Sequence, residues 1–196
     1  MVALTISVLI GYFAGSIPFG LLLTQAAGLG DIRKIGSGNI GATNVLRTGN
    51  KSIAALTLLC DVLKGLLPVF LARWLVGETA ALVAGFAAMA GHIFPIWLGF
   101  KGGKGVATAA GVLFGWNWHF AVAALSVWGL VFAVFRISSL SALCASIVAV
   151  IAAWWFDGPY VWAFAVLAAV VFITHRANIA RLLKGAEPKS SFSKVK

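Results

Sequence analysis

The chain has 196 residues, of which 61% are hydrophobic and 10% are charged, and its formal net charge is +10. A soluble fold of this length has to cover itself with polar side chains, so the composition excludes a soluble domain and indicates an integral membrane protein. The basic residues flank apolar segments without interleaved exposed aromatics, which favours membrane lipid headgroups or an anionic substrate as partners over nucleic acid.

Seven apolar runs succeed one another, and each is predicted to form a membrane-spanning helix. The first run has no basic leader and is too long for the apolar core of a signal peptide, so we expect it to be retained. The fourth run is the doubtful one, because its eleven residues reach only about 16 Å against roughly 30 Å of hydrocarbon, and on length alone it could be re-entrant. The runs cover residues 2–27, 52–76, 79–99, 106–116, 119–135, 140–156 and 160–174.

The basic residues indicate how the chain crosses the membrane. All but two of the fifteen Lys and Arg residues lie in four polar segments, residues 31–51, 100–105, 136–139 and 175–196. These segments share one face if the fourth run spans the bilayer, whereas Lys101 and Arg136 lie on opposite faces if it does not. The rule that positive loops stay inside makes this face cytoplasmic, with the N-terminus outside and the C-terminus in the cytoplasm.

The predicted fold is therefore an all-α polytopic membrane protein with seven transmembrane helices, one of them short. We expect a single membrane domain over residues 1–185. It is followed by a polar, flexible tail over residues 186–196, which is too short to fold alone.

The first polar segment, residues 31–47, combines glycines with hydroxyl, amide and basic side chains, a mixture that suits an anionic ligand. The guanidinium of Arg47 can hold two oxygens of a phosphate at once. The alternative is a glycine-rich loop in which Thr43 or Asn44 merely caps a helix. The candidate site residues of this segment are Ser37, Gly38, Asn39, Thr43, Asn44 and Arg47.

The second polar segment places two glycines and a lysine directly before the short fourth helix. Amides at a helix N-terminus bind phosphate readily, so we predict substrate contacts at Gly102, Gly103 and Gly105 and a catalytic role for Lys104. The segment is not a P-loop, because it lacks the four-residue gap and the Lys-Ser/Thr ending of that motif. The alternative is a basic hairpin that only obeys the charge rule of membrane proteins.

The third and fourth polar segments add further candidates. Ser138 and Ser139 follow a basic residue at a predicted helix start, where capping is the alternative to substrate binding. His175, Asn178 and Arg181 are predicted to lie on adjacent turns of one helical face. This face combines a titratable ring, an amide and a cation.

Three ionisable residues lie within the predicted spans. Asp61 and Lys64 are three residues apart in the second span and are predicted to form an internal ion pair that supports the site, because charges at that depth are normally paired. His92 in the third span is predicted to be a hydrogen-bonded core histidine. The sequence indicates no metal and no organic cofactor.

Three motifs, in this order, resemble a known family. They are Gly-Ser-Gly-Asn-Ile-Gly-Ala-Thr-Asn-Val-Leu-Arg at 36–47, Gly-His-Ile-Phe-Pro at 91–95 followed by Phe-Lys-Gly-Gly-Lys-Gly-Val-Ala-Thr at 100–108, and His-Arg-x-Asn-Ile-x-Arg-Leu-x-x-Gly-x-Glu at 175–187. On these motifs the chain resembles the PlsY-type bacterial acyl-phosphate:glycerol-3-phosphate acyltransferases, from the first span to Glu187.

The resemblance implies a multi-pass enzyme of the bacterial cytoplasmic (inner) membrane whose active site faces the cytoplasm. Such an enzyme transfers a fatty acyl group from acyl phosphate to the 1-hydroxyl of sn-glycerol 3-phosphate. The products are lysophosphatidic acid and inorganic phosphate, and the reaction is the first acylation of phospholipid synthesis. The resemblance assigns Ser37 and Arg47 to the glycerol-phosphate and catalytic site, Gly102 and Gly103 to the acyl-phosphate site, and the third motif to the active site.

The residue chemistry agrees with this assignment. Both substrates are phosphate anions, so the site needs cations and amides more than acids, and the four polar segments contain only two carboxylates, Asp31 and Glu187. Acyl phosphate is already an activated mixed anhydride. Alignment of the substrates and stabilisation of the oxyanion can therefore suffice without a covalent intermediate.

We hypothesise direct transfer. Arg47 and Lys104 hold phosphates, while Asn178 and serine hydroxyls orient the carbonyl and the acceptor. Either His175 or the phosphate of a substrate takes the proton.

A small transporter of phosphate-containing anions is the main rival, because basic residues at helix ends also attract a permeant ion. It requires polar residues through to the outer face. Apart from Asp61, Lys64 and His92, the outer halves of the spans are apolar, which weighs against this alternative.

Overall fold

The computed structural model describes residues 1–156 and 160–190 of the chain. Within these ranges every regular element is helical, which confirms the all-α prediction. The end of the predicted polar tail, residues 191–196, lies outside the described residues.

The described helices fall into two compact units, and the prediction of a single domain stays a prediction. The first unit, residues 1–116, contains α1 (Val2–Ser16), α2 (Phe19–Ala26), α3 (Ala42–Val45), α4 (Lys51–Leu75), α5 (Glu78–Ile93) and α6 (Val106–Trp116), with 3₁₀ turns at Ile32–Lys34, Leu46–Thr48 and Ile96–Leu98. The second unit, described over residues 117–190, contains α7 (Trp118–Phe135), α8 (Ser138–Phe156), α9 (Val161–Thr174) and α10 (Arg176–Leu183).

Several of these helices are membrane spans by length and composition. Among the described residues five segments are long and apolar enough to cross a bilayer, and α9 with α10 makes a sixth if this pair, bent by 66°, is one span. The helix α6 is as short as predicted, with 11 residues. The five segments are Val2–Ala26, Lys51–Leu75, Glu78–Leu98, Trp118–Phe135 and Ser138–Phe156. The number seven and the side on which each terminus lies stay predictions.

The first span is broken between α1 and α2. Pro18 has no N–H to donate and disfavours the helical conformation at the preceding residue, Ile17, whose ψ is 117°. The carbonyl of Ile17 therefore leaves the regular helical pattern. It accepts hydrogen bonds from the N–H of Phe19 at 3.0 Å and from Nζ of Lys64 on α4 at 2.8 Å.

Glycines let the helix backbones of the first unit touch each other. A Cβ at Gly15 of α1 would lie 2.1 Å from the carbonyl oxygen of Ala88 on α5, and a Cβ at Gly111 of α6 would lie 2.0 Å from the carbonyl oxygen of Val62 on α4. No side chain fits at either glycine. In a membrane, where lipid tails are as apolar as the side chains, such close packing supplies much of the attraction between helices.

The helices α4 and α6 run in the same direction, because Gly111 lies against Val62 and Gly115 lies against Val69. This register places the start of α6 beside the middle of α4. At 1.5 Å per residue, that level is about ten residues or about 15 Å beyond Lys51, where α4 begins. The loop that leads into α6 is thus recessed toward the interior of the unit.

The far end of α6 is held by Arg73. Its guanidinium donates from Nη1 to the carbonyl of Gly115 and from Nη2 to the carbonyl of Trp116 at 3.1 Å, and it also donates to both carboxylate oxygens of Glu78 at 2.7 and 2.8 Å. The last carbonyls of a helix have no partner within the helix, and a cation there also interacts favourably with the negative end of the helix dipole. Arg73 therefore fixes the C-terminus of this short helix.

In the second unit, α8 packs against both α7 and α9. The rings of Phe120 on α7 and Phe164 on α9 meet edge to face, with centroids 5.4 Å apart. After α10 the chain returns to the end of α7, where the N–H of Ser190 donates to the carbonyl of Arg136 at 2.7 Å. This return brings the residues after α10 close to the start of α8.

Replacing Arg73 by Met tests its role at the end of α6. Met keeps the apolar stem but provides no donor to the two carbonyls, so Arg73→Met is expected to lower stability by about 1–2 kcal/mol. Thermal unfolding of the purified protein in detergent, followed by tryptophan fluorescence, measures the change. Glu78→Gln is the control, since it weakens only the exposed ion pair and is expected to change stability by less than about 1 kcal/mol. Equal melting temperatures for the two variants would contradict this role.

Candidate active site

The loop between α2 and α4 is organised around the side chain of Asn44. This residue is 2% exposed. Its Nδ2 lies within hydrogen-bonding distance of the carbonyls of Ile32, Ile35 and Asn39, at 3.0, 2.9 and 2.8 Å. Its Oδ1 accepts the N–H of Ser37 at 3.0 Å. The amide of Asn44 thus bonds to the loop backbone and holds Ser37 in place.

Arg47 extends from this loop and packs on Gly36. The φ of Gly36 is +55°, and a Cβ there would lie 2.5 Å from Oδ1 of Asn44 and 2.8 Å from Nη1 of Arg47. Backbone conformation and space both require glycine at this point. Among the described residues no carboxylate forms an ion pair with Arg47. Its charge is therefore available to an anionic ligand.

The carboxylate of this loop is already neutralised by a neighbour. Arg33 donates from Nε and Nη2 to the two oxygens of Asp31 at 2.9 and 2.7 Å, and from its N–H at 3.0 Å. The hydrogen bonds from the side chain and then from the N–H of Arg33 lower the pKa of Asp31 to about 2. Asp31 is therefore ionised and paired, and it is too weak a base to accept a proton from an alcohol.

The other predicted residues of the first motif share this loop. Ser37, Gly38 and Thr43 are exposed, whereas Asn39 is half-buried. Oδ1 of Asn39 accepts the N–H of Gly41 at 3.0 Å, which closes a tight turn. The hydroxyl side chains are thus at the loop surface, and the amide side chains shape the loop beneath them.

The second predicted segment is attached to the end of α5. The N–H of Gly102 donates to the carbonyl of Ile93 at 3.0 Å, and the N–H of Gly103 donates to the carbonyl of His92 at 3.1 Å. A Cβ at Gly102 would lie 2.0 Å from the carbonyl oxygen of His92, and one at Gly103 would lie 2.2 Å from Nε2 of that residue. Both N–H groups are engaged within the protein, so what these positions require is the small size of glycine.

The turn into α6 is made at Gly105. Its φ is +82°, and a Cβ there would lie 2.3 Å from the methyl group of Met89. Its carbonyl accepts the N–H of Ala109 at 2.7 Å, which opens the helix. Lys104, which is half-buried, therefore lies immediately before the N-terminus of α6, where the helix dipole favours an anion.

In the second unit, three predicted residues converge on the carboxylate of Glu187. Ser139 Oγ, at 2.7 Å, and Asn178 Nδ2 donate to Oε1, and Arg181 Nε donates to Oε2 at 2.7 Å. The side chain of Glu187 is only 6% exposed. Ser138 opens α8 beside Ser139 and is half-buried. The carboxylate thus joins the start of α8 to α10.

The environment of Glu187 keeps it ionised. Burial raises the pKa of this carboxyl, but hydrogen bonds from Asn178, Ser139 and Arg181, together with the charge of Arg181, outweigh burial and lower the pKa below its ordinary value of 4.5. Glu187 was not among the site residues predicted from the sequence. The available signal was its scarcity, because it is one of two carboxylates in the basic segments.

His175 lies at the bend between α9 and α10 and is 2% exposed. Its Nδ1 is 2.8 Å from the carbonyl oxygen of Val171. A carbonyl only accepts, so we assign the ring hydrogen to Nδ1, and Nε2 is then the basic nitrogen of the neutral ring. Asn178 and Arg181 follow within α10, while His175 precedes its first residue. The predicted single helical face is therefore interrupted by the bend.

The structure combines apolar membrane helices with polar loops whose cations and amides suit a phosphate. This combination is typical of integral membrane proteins that act on anionic substrates. The chain belongs to the Glycerol-3-phosphate acyltransferase family, whose family model matches residues 5–185. Similar proteins of the same name come from Mesorhizobium japonicum, 56% identical over 95% of both chains, and from Erythrobacter litoralis, 55% identical over 94% of both chains. The resemblance noted in the sequence is confirmed.

The fold matches that of solved structures. A crystal structure of PlsY (YgiH), an integral membrane glycerol 3-phosphate acyltransferase, in its glycerol 3-phosphate form has a TM-score of 0.91 and 36% sequence identity, over 96% of each chain. The lysophosphatidic acid form of PlsY has a TM-score of 0.88 over 95% of this chain and 94% of that chain. The chain is therefore a membrane acyltransferase of the PlsY family.

Replacing Glu187 by Gln tests the network in the second unit. Gln has no charge to pair with Arg181, so Glu187→Gln is expected to lower stability at neutral pH by roughly 2 kcal/mol. Because the pKa of Glu187 is lower in the folded protein than in the unfolded chain, its contribution is present above pH 4.5 and is lost as the pH falls through the folded value. Thermal unfolding of both proteins between neutral pH and about pH 3 measures the difference, which should shrink in acid.

The control for this experiment is Glu78→Gln, which removes an exposed carboxylate from its pair with Arg73. This variant is expected to show a small loss of stability. A loss for Glu187→Gln that has the same size at neutral and acid pH would contradict the role assigned to its charge.

Proposed function

We propose that this chain transfers a fatty acyl group from acyl phosphate to the 1-hydroxyl of sn-glycerol 3-phosphate. The observation that carries the proposal is Arg47, a cation without a carboxylate partner among the described residues, held against Gly36 in a loop that Asn44 keeps in shape. Such a preorganised guanidinium suits a phosphate. The glycerol 3-phosphate and lysophosphatidic acid forms of PlsY support the identity of the acceptor and the product.

The chemistry that we propose is direct transfer. The oxygen of the 1-hydroxyl attacks the carbonyl carbon of the acyl phosphate and loses its proton, and the bond from that carbon to the phosphate oxygen breaks. The products are lysophosphatidic acid and inorganic phosphate. Because the phosphate is already a good leaving group, the protein needs to align the two substrates and stabilise the oxyanion, without an acyl-enzyme.

The roles in the first unit follow from charge and position. Arg47 holds a phosphate, with the hydroxyls of Ser37 and Thr43 at the same loop surface. Lys104 holds a phosphate at the start of α6, where its charge adds to the helix dipole. Gly102 and Gly103 contribute by letting this loop approach α5 closely.

The roles in the second unit follow from hydrogen bonding. Nδ2 of Asn178 donates to Glu187, and Oδ1 of Asn178 is buried without a hydrogen-bond partner among the described residues. A buried acceptor without a partner is costly, so we assign Oδ1 to an O–H of the acceptor alcohol. The proton of the attacking hydroxyl goes to Nε2 of His175 or to a phosphate oxygen of a substrate, whose second pKa near 6 suits a base.

The proposal also places the protein in the bacterial cytoplasmic membrane, with seven spans and with the basic loops in the cytoplasm. The positive-inside rule supports this orientation. It lets the soluble glycerol 3-phosphate reach the site from the cytoplasm while the fatty substrate and product remain in the lipid.

Arg47→Gln is expected to reduce the rate of lysophosphatidic acid formation about 100-fold or more. Removal of one preorganised group that stabilises charge in a reaction typically lowers the rate by this factor. The assay uses purified protein in lipid with palmitoyl phosphate and glycerol 3-phosphate, and it follows both lysophosphatidic acid and inorganic phosphate. The matched control is Arg33→Gln, an arginine of the same loop that is paired with Asp31. It should keep activity within about threefold. Equal losses in the two variants would overturn the role of Arg47.

The donor and the proton acceptor have tests of their own. Palmitoyl-CoA in place of palmitoyl phosphate is expected to give no product, and product from both donors would reject the proposed donor.

His175→Ala is expected to lower turnover about 100-fold if the ring takes the proton. A loss of only a few-fold assigns the proton to the substrate phosphate instead. Uptake of labelled glycerol 3-phosphate into proteoliposomes without any product would favour a transporter.

A further inference from the structure

A buried ion pair in the first unit lies outside the residues assigned to the reaction. Nζ of Lys64 is 2.7 Å from Oδ1 of Asp61, and both side chains are 3% exposed. The ion pair that the sequence predicted in the second span is therefore present. Two charges buried in this way lose most of their hydration, which only close pairing and further hydrogen bonds offset.

The ammonium of Lys64 also connects to the break in the first span. It donates to the carbonyl of Ile17 at 2.8 Å and lies 5.7 Å from the ring centroid of Phe19. Pro18 removes this carbonyl from the helical pattern, so Lys64 provides a partner that the helix does not. The pair thus fixes α4 to the junction of α1 and α2.

On its other side the pair faces His92 of α5. Nδ1 of His92 is 4.0 Å from Oδ1 of Asp61 and has no hydrogen-bond partner among the described residues. The opposite edge of the same ring lies against Gly103, where a Cβ would be 2.2 Å from Nε2. The backbone of His92 also accepts the N–H of Gly103 at 3.1 Å. One histidine therefore touches both the ion pair and the loop that carries Lys104.

We propose that Asp61, Lys64 and His92 are positioning residues that fix the loop at 102–105 to the break in the first span, and thereby set the position of the acyl-phosphate site. This inference rests on the proposed function for the identity of the substrate. The three side chains do not contact the substrate in this scheme. They act because a charged pair in a medium of low dielectric has few alternative arrangements, so the elements it joins are held at one separation.

The first test separates positioning from stability by kinetics. Lys64→Met removes the bond to Ile17, and the double variant Asp61→Asn/Lys64→Met also removes the charge that the single change leaves buried. Both are expected to raise the KM for palmitoyl phosphate about tenfold, as a small displacement of a binding loop does. The KM for glycerol 3-phosphate should stay within about twofold, because Arg47 belongs to a different loop.

The matched control is Thr57→Val. Thr57 is fully buried one turn before Asp61 on α4, and its hydroxyl bonds to the carbonyl of Ile53 in its own helix. This isosteric change at a similar depth is expected to leave both KM values unchanged.

The second test does not depend on the ion-pair variants folding. Gly103→Ala places a methyl group against the ring of His92, and it is expected to raise the KM for palmitoyl phosphate about tenfold. His92→Ala removes that ring, so the double variant His92→Ala/Gly103→Ala should bind the donor better than Gly103→Ala does. Additive effects of the two changes would show that the ring does not support the loop.

The outcomes distinguish this inference from the proposed function. If the wild-type protein forms no lysophosphatidic acid from palmitoyl phosphate, the proposed function fails. If the wild type is active and the Lys64 and His92 variants lose melting temperature and Vmax with an unchanged KM for palmitoyl phosphate, the network is structural and the inference fails alone. A selective rise in that KM, absent in Thr57→Val, supports the inference.

Discussion

Direct contact between helix backbones is the constraint on which the first unit depends. At Gly15 and Gly111 a neighbouring carbonyl oxygen occupies the space where a side chain would begin. Lipid does not drive helices together as water does, so these contacts and their dispersion energy have to hold the helices in register. Because α6 is pressed onto α4 in this way, the loop before α6 cannot shift along α4 without separating the two helices. The position of Lys104 follows from packing several turns away.

The charges of the protein are distributed so that the acids serve structure and a cation remains available. Arg33 engages Asp31, while Glu187 accepts hydrogen bonds from Ser139, Asn178 and Arg181. Each carboxylate organises its own neighbourhood, and neither pairs with Arg47. The site that we propose for two phosphate substrates would benefit from this division, since a carboxylate near the bound phosphates would repel them.

The helices were largely predictable from the sequence, because hydropathy over about 20 residues decides whether a segment enters lipid. The short run at 106–116 was found with the bounds that the structure shows. The breaks were not predicted: Pro18 and His175 lie in or beside apolar runs, and a window of hydropathy does not register a change of direction. The roles of Asn44 and Glu187 also escaped prediction, because each depends on partners that only the folded loops bring together.

The recessed start of α6 has a consequence for side reactions. The loop with Lys104 lies about 15 Å beyond the first residue of α4, measured along that helix. Held there, the acyl phosphate that we propose as the donor would have its reactive carbonyl beside the middle of α4, away from the end of that helix. A mixed anhydride hydrolyses readily, so a shallow site would lose donor to futile cleavage. Under the proposed function, the recessed start of this short helix would thus protect the activated donor until the alcohol arrives, and the enzyme would need no separate lid to exclude solvent.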